Sequence, residues 1–212
     1  MRTAGRVSDA ARAAGYAVLR RAPRTRLAVR HAYWALQKRK YDALAKSIAT
    51  EARTVLFEAY GGRSYACSPK ALYQEMLGDE RFAGCELVWA FREGAVPSDE
   101  PDLEHATIVK RGSSAYFETL ARAGCIVVNN RLPEYVYPKD DQVYVQCWHG
   151  TPLKRLGYDV EIEMESALNT TNELAERFGM DARKWTHLLL HRRTRRSIWR
   201  MRSGCLWRSA GA

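Results

Sequence analysis

The pattern of apolar residues along the chain changes near residue 50. Beyond that point, short apolar runs rich in β-branched and aromatic residues alternate with segments whose apolar positions recur at helical spacing. This alternation predicts βαβ units and therefore an α/β fold with a mostly parallel sheet. The expected strands are 54–57, 86–91, 107–110, 125–128, 142–148 and 188–190.

Capping and turn residues place the helices and loops between these strands. A serine followed by Pro69 predicts a helix that begins at that proline, because proline is well suited to the first helical position. Ser113 or Ser114 can cap a second helix, which runs to Ala123. Residues 92–105 contain two prolines and several acids, which predicts a surface loop.

The first 50 residues show a different pattern, that of basic amphipathic helices. One helical pattern starts at Val7 and ends before Pro23, and a second runs from Val29 to Ile48 with three consecutive basic residues at 38–40 on its flank. Basic amphipathic helices with an interfacial Trp or Tyr bind anionic bilayers. A solvated helical hairpin packed on the body explains the same pattern, so both interpretations stay open.

The net charge of +10 is unevenly distributed. Residues 1–40 hold 11 Lys and Arg and one acid, residues 41–180 hold 14 and 22, and residues 181–212 hold nine and one. An acidic body therefore carries two basic ends. A nucleic-acid groove through the fold needs its positive charge in the middle, where this chain is acidic, so we expect no nucleic-acid partner.

The remaining composition excludes several classes of protein. Hydrophobic residues make up 46% of the chain and charged residues 27%, which excludes a disordered tail or a fibre. Five widely spaced cysteines without a CxxC pair predict neither a disulfide framework nor a zinc site. No stretch reaches the roughly 18 apolar residues of a membrane-spanning helix. We also expect no signal peptide and no cofactor.

The segment 148–154 (WHGTPLK) carries the most chemistry. A strand leads directly into His149, Gly150 and Thr151, at the position where ligands bind in parallel α/β sheets. Backbone N–H groups at Gly150 can bind an anion. The imidazole of His149 can accept a proton from a hydroxyl near neutral pH, while Thr151 and Lys154 can contact a phosphate.

Each of these residues also has a purely structural interpretation. A histidine at the end of a strand is more often structural or merely exposed than catalytic. Gly61 and Gly62 are more simply explained by a turn than by a phosphate cradle. Glu58, Asn129 and Asn130 lie at strand ends and could face a substrate, but the sequence assigns none of them a catalytic role.

At this point the chain resembles a known family. Segment 148–154 is similar to the signature of the CDP-glycerol glycerophosphotransferases, a bacterial family that contains the teichoic acid primases and polymerases. Further similar segments keep the family's order and spacing over about residues 53–187. They are residues 55–58 (VLFE), 62–65 (GRSY), 68–73 (SPKALY), 110–113 (KRGS) with Tyr116, 129–130 (NN) and 157–159 (GYD).

The resemblance implies a GT-B-type architecture of two Rossmann-like halves, of which this chain carries the N-terminal one. It assigns His149 as the base that deprotonates the acceptor hydroxyl, which then attacks the β-phosphorus of CDP-glycerol and expels CMP. Gly150, Thr151 and Lys154 would assist by geometry. It also implies a lipid-linked polyol-phosphate acceptor, and a peripheral location on the cytoplasmic face of the bacterial plasma membrane through residues 1–50.

The chain departs from the family's pattern after residue 187. The resemblance leads us to expect the family's nucleotide-binding half next, but no similar segment follows within these 212 residues, and residues 182–212 contain no acid at all. The sequence thus predicts three parts, a basic helical arm at 1–50, a Rossmann-like acceptor-side domain at 51–190, and a basic tail at 191–212. One hypothesis makes the tail an out-of-frame translation of a truncated gene, and the other a genuine basic amphipathic tail.

Three functional hypotheses follow from the sequence. The first is a glycerophosphotransferase that is weakly active or inactive without its second half. The second is a non-catalytic fragment that binds the acceptor or the membrane. The third is a basic nucleic-acid-binding protein, which the acidic body disfavours.

Overall fold

A seven-stranded sheet organises the fold, and the computed structural model describes it over residues 23–148, 177, 179–191 and 196–200. The strands are β1 (Glu51–Glu58), β2 (Glu86–Phe91), β3 (Thr107–Lys110), β4 (Ala123–Val128), β5 (Val143–Gln146), β6 (His187–His191) and β7 (Arg196–Arg200). Their order is β3-β2-β1-β4-β5-β6-β7. The first six strands are parallel and β7 is antiparallel to β6, which confirms the predicted α/β class.

The central strands are buried on both faces, and this explains their sequences. Residues 54–58 of β1 and 87–91 of β2 are buried without interruption, so neither strand alternates between buried and exposed positions there. One apolar cluster, around Leu56 and Ile126, fills one face of the sheet. A second, around Phe57 and Trp89, fills the other. The fold is Rossmann-like, because its five leading strands follow the order 3-2-1-4-5.

The sheet is flanked by helices α1 (Pro23–Ser47), α2 (Cys67–Leu77) and α3 (Ser114–Arg122). The predicted cap of α3 is confirmed, since the Ser113 hydroxyl accepts a hydrogen bond from the Tyr116 amide at 3.2 Å. Helix α2 begins two residues before the predicted Pro69, behind Ala66, whose side chain makes no capping hydrogen bond. Proline therefore lies in the first turn of α2 instead of opening it.

Helix α1 joins the body of the protein through its C-terminal half. Tyr41 and Ala45 are buried in the cluster around Leu56, and the Tyr41 ring packs edge-on against Phe117 at 6.4 Å between centroids. The opposite side of the helix is exposed. Within the described helices, none is long and apolar enough to cross a membrane. The earlier amphipathic pattern that starts at Val7 lies outside the described residues.

Segment 92–105 was expected to be a surface loop, and this is wrong in part. A short 3-10 helix forms at Pro101–His105, and its Leu103 side chain is buried. The Tyr73 hydroxyl of α2 donates a hydrogen bond to the Asp102 carbonyl at 2.6 Å, and the Gln74 amide donates to the Asp102 carboxylate at 2.6 Å. The acids that suggested exposure therefore anchor this segment to α2.

Candidate functional site

The strand order locates a crevice at the carboxyl edge of the sheet. In doubly wound sheets, ligands bind beyond the carboxyl ends of the strands, at the point where the strand order reverses. In this fold the reversal lies between β1 and β4, which are hydrogen-bonded neighbours. The segments that follow these two strands, 59–63 and 129–131, therefore border the candidate site.

Glu58, the last residue of β1, is a buried carboxylate at this edge. Its side chain is 1% exposed, and Oε2 accepts hydrogen bonds from Arg111 Nε at 3.0 Å and from the Tyr116 hydroxyl at 2.8 Å. Burial raises the pKa of the Glu58 carboxyl, and the positive charge of Arg111 opposes that shift. A charge-assisted bond of this kind holds the guanidinium of Arg111 in place beside the sheet.

A glycine turn follows β1 and is fastened to the end of β2. Gly61 and Gly62 have positive φ angles of 66° and 77°, which side chains rarely tolerate. The Arg92 amide donates to the Gly62 carbonyl at 2.6 Å, and Arg92 Nε donates to the Gly61 carbonyl at 2.9 Å. A side chain on Gly62 would lie 3.0 Å from the Arg92 amide nitrogen. Both glycines are required by backbone conformation, and Gly62 also by this close approach.

Amide side chains connect the ends of β1, β4 and β5. Asn129 Oδ1 accepts a hydrogen bond from the Tyr60 amide at 2.7 Å. The buried Gln146 donates to the Asn130 carbonyl at 3.2 Å, and its Oε1 accepts from the Trp148 amide at 3.1 Å. These bonds make the carboxyl edge a single connected polar surface. The Asn129 side chain is therefore a structural linker between neighbouring strands.

The sequence-predicted site residues follow directly in the chain. Trp148, which has a positive φ of 51°, ends the described part of this segment. His149, Gly150, Thr151 and Lys154 lie outside the described residues, so their predicted roles stay predictions.

Sequence reasoning assigned no role to the two arginines at this edge. Arg92 and Arg111 each follow a short strand, β2 and β3. A basic residue after a buried strand is a weak signal by itself. The useful signal is that three successive strands end in a charged or glycine-rich segment, at 58–62, 92–93 and 110–112, and such segments converge in a parallel sheet.

A second buried charged cluster lies between the loop after β4 and residues 177–185. Arg177 forms an ion pair with Glu134, and the Lys184 ammonium donates to the Glu134 carbonyl at 3.0 Å. Asp181 is 3% exposed, and its Oδ2 accepts from Trp185 Nε1 at 3.0 Å. Burial raises the pKa of Asp181 to about 6 and lowers the pKa of Lys184 to about 8.

The raised pKa of Asp181 predicts a pH-dependent stability. A carboxyl whose pKa is higher in the folded protein stabilises the fold most below its unfolded pKa, near 4. That contribution is lost as the pH rises through about 6. We therefore expect Asp181→Asn to raise the free energy of unfolding by about 2 kcal/mol at pH 7.5 and by little at pH 4. Urea unfolding at four pH values measures this.

The matched control is Asp99→Asn, which changes an exposed carboxylate. We expect this variant to follow the wild-type pH dependence, with a stability change within about 0.5 kcal/mol. An Asp181→Asn protein that is less stable than the wild type at pH 7.5 would contradict the assignment. That result would mean that Asp181 is held as an anion by Lys184.

Metal ligands are not grouped in the described part of the chain, where no cluster of three or more His, Cys, Asp or Glu side chains could hold an ion. Cys147 is buried and Cys125 is half-buried, and burial raises the pKa of the Cys125 thiol to about 11. Such a thiol is a poor nucleophile at neutral pH.

Sequence comparisons show which proteins this chain is similar to. The family model described as CDP-glycerol:poly(glycerophosphate) glycerophosphotransferase matches residues 41–209. The teichoic acid poly(glycerol phosphate) polymerase of Staphylococcus epidermidis is 32% identical over 76% of this chain. The polymerase of the same name from Bacillus subtilis strain 168 is 32% identical over 69% of it. The chain spans about a fifth of the length of these two relatives, 21% and 19%.

The solved structure of the wall teichoic acid polymerase TagF has the same fold. It superposes on 68% of this chain with a TM-score of 0.59 and 32% identity, and the match covers 34% of the polymerase chain. A His→Asn variant of TagF soaked with CDPG superposes with a TM-score of 0.58. A family match over most of the chain, together with these relatives, shows that the protein belongs to the CDP-glycerol:poly(glycerophosphate) glycerophosphotransferase family.

Proposed function

We propose that this chain carries the acceptor-binding half of an enzyme that transfers glycerol phosphate, or a related polyol phosphate, from CDP-glycerol to a membrane-linked teichoic-acid-type acceptor. The observation that carries the proposal is the position of Trp148, the first residue of the WHGTPLK segment. Trp148 lies two residues after β5, and its amide donates to the Gln146 side chain, which in turn donates to the Asn130 carbonyl after β4.

His149 is proposed as the general base of this transfer. Its imidazole takes the proton from a terminal hydroxyl of the acceptor, and the resulting oxygen attacks the β-phosphorus of CDP-glycerol. A new P–O bond forms to the acceptor while the bond between the β-phosphorus and the bridging oxygen breaks, and CMP leaves with that oxygen. Gly150, Thr151 and Lys154 would bind the phosphoryl oxygens and offset their charge.

The assay for this proposal is the release of CMP from CDP-glycerol in the presence of a membrane acceptor. Because the chain spans only a fifth of the two polymerases, we expect little release from the 212 residues alone. In a chimera, residues 53–187 replace the matching segment of the Bacillus subtilis polymerase, and the polymerase supplies the parts that this chain does not cover. We expect CMP release from this chimera.

The second candidate is a fragment that binds the acceptor or the membrane without turnover. The short coverage of the relatives supports it. Acceptor binding by the 212-residue chain, combined with a chimera that releases no CMP, would favour this alternative. CMP release by the 212 residues alone would contradict it.

We further propose that residues 1–50 dock on an anionic membrane surface, which places the protein at the cytoplasmic face of the plasma membrane. The described helix, α1, holds seven Lys and Arg and one acid. Three apolar side chains lie along one exposed face and are each more than half exposed. They are Val29, Tyr33 and Leu36. An exposed apolar stripe flanked by basic residues is the surface that binds lipid headgroups.

Vesicle flotation tests this docking surface. We expect Val29→Ala/Leu36→Ala to weaken binding to phosphatidylglycerol vesicles by about tenfold or more, since each buried methylene contributes to insertion. Leu77→Ala is the matched control, because Leu77 is an exposed apolar residue on α2. Equal binding by the double variant and the control would contradict the proposal. Salt-dependent DNA binding by a variant that lacks residues 1–40 and 188–212 would instead favour a nucleic-acid partner.

A further inference from the structure

Three nitrogen-bearing side chains surround Gly61 at the carboxyl edge of the sheet. A methyl group placed on Gly61 would lie 3.4 Å from Asn130 Nδ2, 3.7 Å from Arg92 Nη2 and 4.0 Å from Arg111 Nε. These side chains come from the ends of three different strands, β4, β2 and β3. Nitrogen atoms from these three strand ends therefore lie close together beside Gly61, which is itself buried.

The charge of this cluster is not balanced. Glu58 is the one carboxylate that pairs with Arg111, and Arg92 forms no ion pair with any residue that the structure describes. Lys110 is paired with Glu93 outside the cluster. Two guanidinium groups thus face one buried carboxylate, within a body whose residues 41–180 carry more acids than bases. A local positive excess of this kind attracts an anion.

The donor set fits a phosphate group. Guanidinium groups match the geometry of phosphate oxygens, and an amide nitrogen can donate to a further oxygen. The cluster lies at the reversal of strand order, where ligands of doubly wound sheets bind. Glu58 Oε2 accepts the hydrogen bond from Arg111 Nε and so fixes the position of this guanidinium. The other carboxylate oxygen, Glu58 Oε1, accepts no hydrogen bond within the described residues.

We propose that Arg92, Arg111 and Asn130 form a phosphate-binding subsite over Gly61, which holds a phosphodiester of the polyol-phosphate substrate, with Glu58 as the residue that positions Arg111. This inference rests on the proposed function and names the part of the substrate that the acceptor-side half recognises. The phosphate can belong to the acceptor polymer or to CDP-glycerol. The variants described below distinguish the two, because only the ligand that occupies the subsite binds them more weakly than the wild type.

Calorimetric titration of the 212-residue chain tests the subsite. The probes are a synthetic tri(glycerol phosphate), CDP-glycerol and inorganic phosphate. We expect Arg92→Gln to weaken binding of the trimer by about tenfold and to reduce its salt dependence, because one charged contact is lost. Arg81→Gln is the matched control, since Arg81 is an exposed arginine that pairs with its near neighbour Asp79 and takes no part in the cluster.

Gly61→Ala adds a methyl group between the three nitrogen-bearing side chains without changing any charge. We expect it to weaken trimer binding at least tenfold. Its control is Gly94→Ala, because Gly94 has a similar positive φ of 70° but no atom within 4 Å of the added methyl group. The control therefore carries the same backbone strain without blocking the cluster. Thermal unfolding of both variants separates lost binding from lost folding.

Two variants of Glu58 distinguish positioning of Arg111 from a general structural role. Glu58→Gln keeps an oxygen that accepts from Arg111 and Tyr116, so trimer binding is retained or strengthened. Glu58→Ala releases Arg111, so trimer binding weakens even where the protein remains folded. Equal trimer affinity in these two folded variants would contradict the positioning role.

The outcomes are separable from those of the proposed function. Unchanged trimer and CDP-glycerol binding in Arg92→Gln and Gly61→Ala, or no binding of any probe by the wild type, would overturn the subsite, whatever the result for CMP release. If the two substitutions weaken the binding of CDP-glycerol but not of the trimer, the phosphate held at the subsite belongs to the donor. A third outcome is that trimer binding depends on Arg92 but the chimera releases no CMP. This result would overturn the proposed transfer reaction and support the subsite.

Discussion

Replacing His149 by alanine in the chimera lowers the rate of CMP release by about 100-fold or more, the usual contribution of a positioned general base. The reason is that no other group of the WHGTPLK segment can take the proton of an acceptor hydroxyl at neutral pH. The measurement is the steady-state rate at saturating CDP-glycerol. The pH profile of the remaining activity should lose the limb that reports a group titrating near neutrality.

Two controls make the result specific to a base. His149→Gln keeps a hydrogen-bonding side chain that cannot accept the proton, so its rate should match that of the alanine variant. His105→Ala changes an exposed histidine in the 3-10 helix after β2 and should leave CMP release unchanged. An alanine variant at 149 that keeps more than a tenth of the rate would show that another group is the base.

Gly124→Ala destabilises the fold by about 3 kcal/mol, a large share of the 5–15 kcal/mol that stabilises a typical domain. Gly124 lies in β4 where the register with β1 shifts, and β1 approaches it closely. The added methyl group would lie 2.7 Å from both the Ala52 Cα atom and the Glu51 carbonyl oxygen. Since both atoms belong to backbone, neither can rotate away. Urea unfolding measures the loss.

Gly78→Ala is the matched control for this substitution. Gly78 has a negative φ of −87°, and an added methyl group would lie 3.9 Å from the nearest carbonyl oxygens, an ordinary contact distance. We expect a change within about 0.5 kcal/mol. Equal stability of the two alanine variants would mean that β1 and β4 can separate locally without cost.

The secondary structure followed closely from local sequence. Strands β2 and β3 have the predicted bounds, because each is a β-rich run with turn residues on both sides. The cap at Ser113 is likewise a local effect, made within one helical turn. The start of α2 differed from the prediction, since its first turn is formed without a capping side chain and so leaves little trace in the sequence.

The candidate site depended much more on the fold. Glu58 and the strand-end asparagines were visible as polar residues after apolar strands, but their partners were not. Arg111 lies 53 positions from Glu58, and Tyr116 lies 58 positions away. Which of the charged strand ends meet depends on the strand order, which alternation of strands and helices does not specify. The family signature at 148–154 remains the best guide to the catalytic group.

The sequence by itself determined the alternating α/β pattern, the family to which the chain belongs, and the segment in which a catalytic base is expected. These features are carried by local periodicity and by an ordered set of short motifs. Only the tertiary structure decided that Arg92, Arg111 and Asn130 meet over Gly61, and that Asp181 is buried. Such contacts join residues far apart in the chain, and they form only when the strands have packed side by side in one sheet.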